Sequence, residues 1–289
     1  MKNKQTKILG IIGNPITHSA SPFMHNQEMK RLKLNYTYIP LCINDTKIDL
    51  KNTIQSIRTL KMTGLNVTIP FKVKVIPFLD HCAPSAVSAG AVNTIINNNG
   101  ILTGYNTDGE GFITSLFEET NANTLTNKNI CIIGAGGACK GILSALITHS
   151  IQKITIINRT LSKATSLLET IKDKKQNIEA IQINTNKAHT TLQSADIVIQ
   201  TTPVGLTSNK IPTKDTTWVN KDQLIIDIIY NPEKTPFLME CEKKGAKIIN
   251  GVGMLAGQGI LAFEKFTGKK ASYKQFKKYI NQYLKKGDL

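Results

Sequence analysis

The sequence predicts an α/β protein whose strands run largely parallel, and two observations carry that expectation. Strand-like runs rich in β-branched residues alternate with helix-like segments from KILGIIG near the N-terminus to KIIN at 247–250, which is the pattern of βαβ units. Within that alternation the turn CIIGAGGACKG, Cys131 to Gly141, falls at the end of one strand and the start of the next helix. A phosphate-binding glycine turn requires that position.

Taken in order, KILGIIG is followed by a helix from about Pro22 to Leu32, by the strand YTYIPL, and by a helix through Ile48, Ile54, Ile57 and Leu60. GLNVTIP gives a third strand. AVNTIINNNGILTGYNTD gives two short strands joined through Asn97 to Gly100 as a hairpin, so the chain up to Asp108 holds a mixed sheet. The polar stretch TNANTLTNKN, Thr120 to Asn129, separates a helix beginning near Gly111 from the strand ICIIG. A second α/β unit then continues through KITIIN, AIQI, DIVIQT and LIIDIIY to KIIN, each strand followed by a helical or loop segment. After Gly251 the pattern is wholly helical, around Met254 to Phe266 and from Tyr273 to Leu284, and no internal repeat interrupts it.

A chain of 289 residues that is 40% hydrophobic and 19% charged has material for one or two soluble domains. Its net charge of +16 invites a nucleic-acid or anionic-membrane partner. Against that, only Arg31, Arg58 and Arg159 are arginines, the lysines are dispersed, and no basic stripe carries interleaved aromatics. A small anionic substrate is served by the same field, so neither nucleic acid nor membrane is expected as partner. Cys42, Cys82, Cys131, Cys139 and Cys241 form no C-x-x-C pair and have no histidine at zinc-like spacing, so no metal and free thiols in a reducing compartment are expected. Lys2, Lys4 and Lys7 before ILGII, with Ala20 and Ser21 downstream, imitate a secretory signal, but Gly13 and Pro15 interrupt the apolar run. It falls short of the ~7 to 15 residues a signal core needs, and no run approaches the ~18 residues of a membrane span. The expected location is the cytoplasm.

Other residues read as structural. His18, His25, His81, His149 and His189 form no close pair and are expected at solvent or helix ends, with no ligand or base role. Leu143, Leu146 and Ile147 are expected as core, Ser85 and Ser88 as a helix cap, and KKYINQYLKKGDL as a solvated helix with one apolar face.

The glycine turn predicts a nucleotide site at Gly134, Ala135, Gly136, Gly137 and Ala138. Gly134 permits the tight turn and Gly136 close approach of a pyrophosphate, while the helix N-terminus offers amide N–H groups and positive dipole. Cys139 replaces the third small residue of the fingerprint. The next strand ends in Asn158, Arg159 and Thr160 without the acidic residue that would accept the ribose 2′-hydroxyl of NAD. Arg159 can pair instead with a 2′-phosphate, and Lys163 adds charge one turn on. The cofactor predicted is NADP.

A nicotinamide enzyme that reduces a carbonyl also needs a proton donor and groups that orient it. The first domain offers Lys72 beyond a strand carrying Thr68, Asp108 in YNTDG, and Asn93 in GAVNT. The opening loop GNPITHSASPFMHN presents Ser19 and Ser21 between Pro15 and Pro22; Pro22 suits a first helical position, and Ser21 is placed to cap that helix as well as to meet ligand.

GNPITHSASP, NVTIPFK, GAVNT, NTDG, IIGAGGA, NRT and GVGMLAGQ, in this order and spacing, resemble the shikimate dehydrogenase family over essentially the whole chain. The resemblance implies a substrate domain at 1–109, a Rossmann-type NADP domain at 110–250, and C-terminal helices at 251–289 returning to the first. It implies Ser19 and Ser21 on the substrate carboxylate, and Thr68, Asn93, Asp108 and Gln258 on its ring hydroxyls. Lys72 and Asp108 would be the catalytic pair, Tyr230 a further substrate contact, and Ile228 and Gly251 neighbours of the nicotinamide. The implied reaction is reversible reduction of 3-dehydroshikimate to shikimate by NADPH in aromatic amino acid and chorismate biosynthesis, with a homodimer left open.

Ile228 stands where relatives often have methionine, Gln200 where asparagine is common, and Lys163 where arginine is frequent. Arg159 argues against the NAD-accepting quinate/shikimate relatives. Two alternatives remain open to the sequence: a paralogue acting on quinate or an amino-shikimate, and a non-enzymatic basic protein that senses nucleotide or binds nucleic acid.

Overall fold

The structure is a computed structural model that describes residues 5–169, 171 and 177–287. Lys2, Lys4, Asp288 and Leu289 lie outside the described residues. Two compact units divide the chain, one made of Met1–Gly111 with Ala256–Leu289 and the other of Phe112–Leu255.

The first unit runs β1 (Lys7–Gly13), α1 (Ser21–Arg31), β2 (Tyr36–Cys42), α2 (Lys47–Thr59), β3 (Gly64–Val67), α3 (Phe71–Lys74), β4 (His81–Cys82), α4 (Pro84–Ala89), β5 (Thr94–Asn98), β6 (Ile101–Tyr105) and the start of α5 (Asp108–Thr120). Its sheet has the order β2-β1-β3-β5-β6-β4. β1 lies parallel to β2 and β3, while β5 is antiparallel to both β3 and β6, so the sheet is mixed. Asn98 pairs with Ile101 across the two-residue turn Asn99–Gly100, both with positive φ, which is the Asn-Gly turn whose twist suits a hairpin. In α2 the Thr46 hydroxyl accepts from Asp49 N, and Leu50, Ile54 and Ile57 form the buried stripe.

Three expectations are corrected here. Ser21 is the first residue of α1 and does not cap it; Ala20 holds the cap position, and Ser21 N–H donates to Ser19 Oγ. Ser85 and Ser88 sit inside α4, because Pro84 opens that helix after Ala83; Ser85 Oγ accepts from Asn106 N–H instead. His25 is neither exposed nor at a helix end. It shares the buried face of α1 with Ser21, Met24 and Glu28, and its ring stacks on Tyr38 with centroids 4.5 Å apart.

Burial lowers the His25 pKa to about 3. The unfolded chain therefore takes up a proton that the folded chain refuses. His25 leaves stability intact above its unfolded pKa and removes it as pH falls below that value, by about 2 kcal/mol at about pH 5. His25→Phe keeps a ring and removes the proton site; denaturant unfolding near neutral and near pH 5 should show a smaller acid loss in the variant.

The second unit holds β7 (Asn129–Ile133), α6 (Gly137–Leu146), β8 (Lys153–Asn158), α7 (Leu161–Glu169), β9 (Ile178–Gln182), α8 (Asn186–Gln193), β10 (Ile197–Gln200), β11 (Leu224–Asp227), α9 (Pro236–Lys243) and β12 (Lys247–Ile249). All six strands are parallel in the order β12-β11-β10-β7-β8-β9. Strand order reverses between β7 and β10, and ligands bind at that kind of switch point. Ile130, Ile132, Ile154 and Ile156 face one core, with Leu143 and Leu146 of α6. Cys131, Ile133 and Ile157 face the other, as the two-residue period of a strand dictates. The connection from β10 to β11 carries no helix; Trp218 is buried there against Phe237 and donates from Nε1 to the Asp215 carbonyl. α10 (Val252–Thr267) leads from this unit back into the first, where α11 (Tyr273–Gly287) packs on α1.

Candidate active site

The first unit gathers its polar residues at the C-terminal ends of the parallel strands β1 and β3. Thr68 N–H donates to the Ile12 carbonyl, and Asn14 N–H to the Ile69 carbonyl, both near 3 Å, which ties the serine loop to the turn after β3. The Asn14–Pro15 and Ile69–Pro70 peptide bonds are cis. A Cβ on Gly13 would lie 2.5 Å from Thr68 Cγ2, so only glycine lets the loop pass that close. Ser21 is buried and Ser19 partly exposed, linked by the Ser21 N–H to Ser19 Oγ bond.

Lys72 lies in the one-turn helix α3, where its carbonyl accepts from Val92 N–H at 2.7 Å. Its Nζ reaches Asp108 Oδ2 at 2.7 Å, and Asn93 Nδ2 donates to Asp108 Oδ1 at 2.8 Å. Each oxygen of the carboxylate thus has its own donor. Asp108 opens α5, and its N–H donates to Asn106 Oδ1, which is why the helix starts a turn before Gly111. The Lys72 side chain keeps 30% of its exposure and that of Asp108 12%, so the pair remains partly accessible. An ammonium held by a carboxylate can give a proton to a developing alkoxide or take one from an alcohol.

Gln258 reaches the same region by a close helix crossing. A Cβ on Gly111 would strike the Gln258 backbone, and one on Gly257 would strike the Gly111 carbonyl. Two glycines therefore set Gln258 of α10 against the first turn of α5. Asn66 belongs to this cluster too, with Nδ2 donating to the Asn93 carbonyl and to Thr94 Oγ1. Sequence reasoning missed it, although Asn66 and Thr68 alternate in NVT and share a face.

The second unit holds the glycine turn. Gly134 has φ +113, and a Cβ there would sit 2.5 Å from Thr201 Oγ1. Gly136 caps α6, and added Cβ atoms at Gly136 and Gly137 would meet nothing within 4 Å. That open ground over a helix N-terminus fits the pyrophosphate of a dinucleotide. Gly134 N–H donates to the Ile157 carbonyl at 2.8 Å, which brings the turn beside the end of β8. Arg159 and Lys163 are exposed there, and Asn158 Nδ2 donates to the Thr160 carbonyl. Cys139 is fully buried and its thiol is pushed up to about 12 by burial, so it fills the helix-packing slot of the fingerprint.

Gln200 is buried; it donates to the Thr202 and Val204 carbonyls and accepts from Thr202 N–H, closing the turn after β10 with its own amide. After β11, Asp227 accepts from Ile229 N–H and the Thr235 hydroxyl, and burial raises its pKa to about 6. Ile228 and Tyr230 lie on the loop so held. Gly251 N–H donates to the Ile229 carbonyl, and a Cβ on Gly251 would collide with the Ile228 carbonyl. Ser19, Ser21, Thr68, Lys72, Asn93, Asp108 and Gln258 thus belong to the first unit; Gly134 to Ala138, Asn158 to Thr160, Lys163, Ile228, Tyr230 and Gly251 belong to the second. Among the described residues no cluster of His, Cys, Asp or Glu could hold a metal ion, and no helix is long and apolar enough to cross a membrane.

Three family models match the chain: a shikimate dehydrogenase substrate binding domain over residues 11–95, shikimate / quinate 5-dehydrogenase over 117–233, and a shikimate 5′-dehydrogenase C-terminal domain over 251–278. The shikimate dehydrogenase (NADP(+)) of Methanosphaera stadtmanae is 42% identical over 283 residues, covering 97% of this chain and 98% of that protein. The chain belongs to the shikimate dehydrogenase family. Among solved structures, a shikimate dehydrogenase in complex with NADP+ is 36% identical with a TM-score of 0.87, over 98% of this chain and 97% of that one. A quinate dehydrogenase from Corynebacterium glutamicum in complex with NAD is 27% identical, also with a TM-score of 0.87, over 96% of this chain and 99% of that one. Backbone shape therefore does not separate these two activities within the family. Ser19, Ser21, Thr68, Lys72 and Asn93 fall inside the match to the substrate binding domain, the glycine turn and Arg159 inside the second match, and Gln258 inside the third.

Proposed function

We propose that this chain catalyses the reversible NADPH-dependent reduction of 3-dehydroshikimate to shikimate. The Lys72–Asp108 pair at 2.7 Å carries that reading, since it supplies a proton donor of the right kind within a family of oxidoreductases that act on CH–OH groups. Ser19 and Ser21 are proposed to hold the substrate carboxylate, and Thr68, Asn93 and Gln258 its ring hydroxyls, with Tyr230 as a further contact. Lys72 gives its proton to the carbonyl oxygen as negative charge develops there and recovers it in the reverse direction. Asp108 keeps the ammonium aimed.

The Gly134 to Ala138 turn and the α6 N-terminus would hold the pyrophosphate of NADPH, Asn158, Arg159, Thr160 and Lys163 its 2′-phosphate, and Ile228 and Gly251 would border the nicotinamide. Bound there, NADPH supplies the reducing equivalent. Arg159→Asp replaces a phosphate-pairing guanidinium with a charge that repels phosphate. The ratio of kcat/KM for NADPH to that for NADH should fall by about tenfold or more; an unchanged ratio removes Arg159 from the phosphate site.

The deciding experiment compares kcat/KM for shikimate and quinate with NADP+ and NAD+. Preference for shikimate with NADP+ is expected. Preference for quinate would place the chain with its quinate dehydrogenase relatives, and preference for NAD+ would remove the NADP assignment.

A further inference from the structure

The Lys72–Asp108 pair stands at the end of a buried hydrogen-bond chain that starts at a residue no part of the reaction uses. Tyr38, in the middle of β2, is 1% exposed, and its hydroxyl lies 2.7 Å from Asn66 Oδ1. Asn66 Nδ2 lies 3.0 Å from both the Asn93 carbonyl and Thr94 Oγ1. Thr94 Oγ1 lies 3.0 Å from Asn93 Oδ1, and Asn93 Nδ2 lies 2.8 Å from Asp108 Oδ1.

Each proton in this chain has one direction open to it. The Asn93 carbonyl can only accept, so the Asn66 nitrogen faces it and the Asn66 oxygen faces Tyr38. The Tyr38 hydroxyl must then donate. Thr94 Oγ1 accepts from Asn66 and so gives its own proton to Asn93 Oδ1, which also accepts from the Thr107 backbone N–H at 2.9 Å. That leaves the Asn93 nitrogen pointing at Asp108. From phenol to carboxylate the donors run one way, and such chains reinforce one another in a medium of low dielectric.

We propose that Tyr38 is a positioning residue for the reaction: its hydroxyl, through Asn66, Thr94 and Asn93, fixes the Asp108 carboxylate that aims Lys72, a role that rests on the proposed function of that pair. Tyr38 itself is firmly placed. Its N–H donates to Asn26 Oδ1 and its carbonyl accepts from Asn26 Nδ2, while the ring stacks on His25. Burial raises the phenol pKa well above its usual value, so the hydroxyl keeps the proton it must donate. Without that hydroxyl, Asn66 Oδ1 is left buried and unpaired. Turning the Asn66 amide over to relieve it would break its bonds to the Asn93 carbonyl and Thr94 Oγ1 and draw the Thr94 hydroxyl away from Asn93 Oδ1, leaving Thr107 alone to hold the Asn93 amide that faces Asp108.

The test is kcat for wild type, Tyr38→Phe, Asn93→Ala and the double variant, with thermal unfolding measured alongside. Tyr38→Phe should lower kcat about three- to tenfold with KM for NADPH changed less than about twofold. In the Asn93→Ala background the same substitution should leave kcat unchanged, because the link it acts through is already gone. Wild-type kcat in Tyr38→Phe, with or without a lower Tm, overturns the proposal, and so does an equal loss in both backgrounds. Should Tyr38→Phe not fold, Thr94→Val breaks the chain at its middle with nearly the same shape, and the same two outcomes apply. A wild-type protein that turns over neither shikimate nor 3-dehydroshikimate would overturn the proposed function first, and this role with it; an active wild type with an indifferent Tyr38 overturns this role alone.

Discussion

Lys72→Ala should lower kcat by about 10²- to 10⁴-fold, the range a positioned general acid contributes. The substitution removes the ammonium 2.7 Å from Asp108 and leaves that carboxylate with Asn93 as its side-chain partner. No other lysine or histidine side chain is bonded to Asp108 among the described residues. Substrate binding is assigned mainly to Ser19, Ser21, Thr68 and Gln258, so KM for 3-dehydroshikimate should change much less than kcat, the signature of an interaction made in the transition state. Steady-state kinetics of the variant check this, and a kcat within about threefold of wild type would remove Lys72 from the chemistry.

Gly257→Ala should be strongly damaging for a change that adds a single methyl group. The added Cβ meets the Gly111 carbonyl oxygen, with its carbonyl carbon 2.9 Å and its Cα 3.0 Å away. All three are backbone atoms, so no rotamer change relieves the contact and the two helices must separate. Overpacking of this kind costs about 1–3 kcal/mol or more. Because Gln258 follows Gly257 directly and Asp108 precedes Gly111 by one turn of α5, the separation also pulls substrate groups apart. Thermal unfolding should show a clear fall in Tm. Kinetics on the folded fraction should show a raised KM for 3-dehydroshikimate, while the Kd for NADPH, whose proposed residues lie in the other unit, stays near wild type. An unchanged Tm would contradict the crossing.

The parallel sheet was readable because its strands announce themselves: ICIIG, KITIIN and DIVIQT are β-branched runs buried on both faces, and their alternate residues do separate into the two cores. The glycine turn was readable because a tight strand-to-helix turn constrains the backbone locally, with Gly134 at positive φ and Gly136 capping α6. Lys72 and Asp108 were found as isolated residues, yet α3 was not foreseen, since four residues of FKVK carry too short a period to tell a helical turn from a strand. His25 was misplaced for a related reason. A histidine on a helix gives no sign of its surroundings, and the ring partners Tyr38, Phe263 and Phe276 come from distant parts of the chain. The hydrogen bonds that join Tyr38 to Asp108 link four separated segments, so only the folded chain brings them together.

The most direct test of the account is the rate of NADPH oxidation by wild-type protein and by Lys72→Ala on addition of 3-dehydroshikimate. The account predicts rapid oxidation by wild type, with shikimate as product, and near silence from the variant. No oxidation by wild type, or equal oxidation by both, would contradict it.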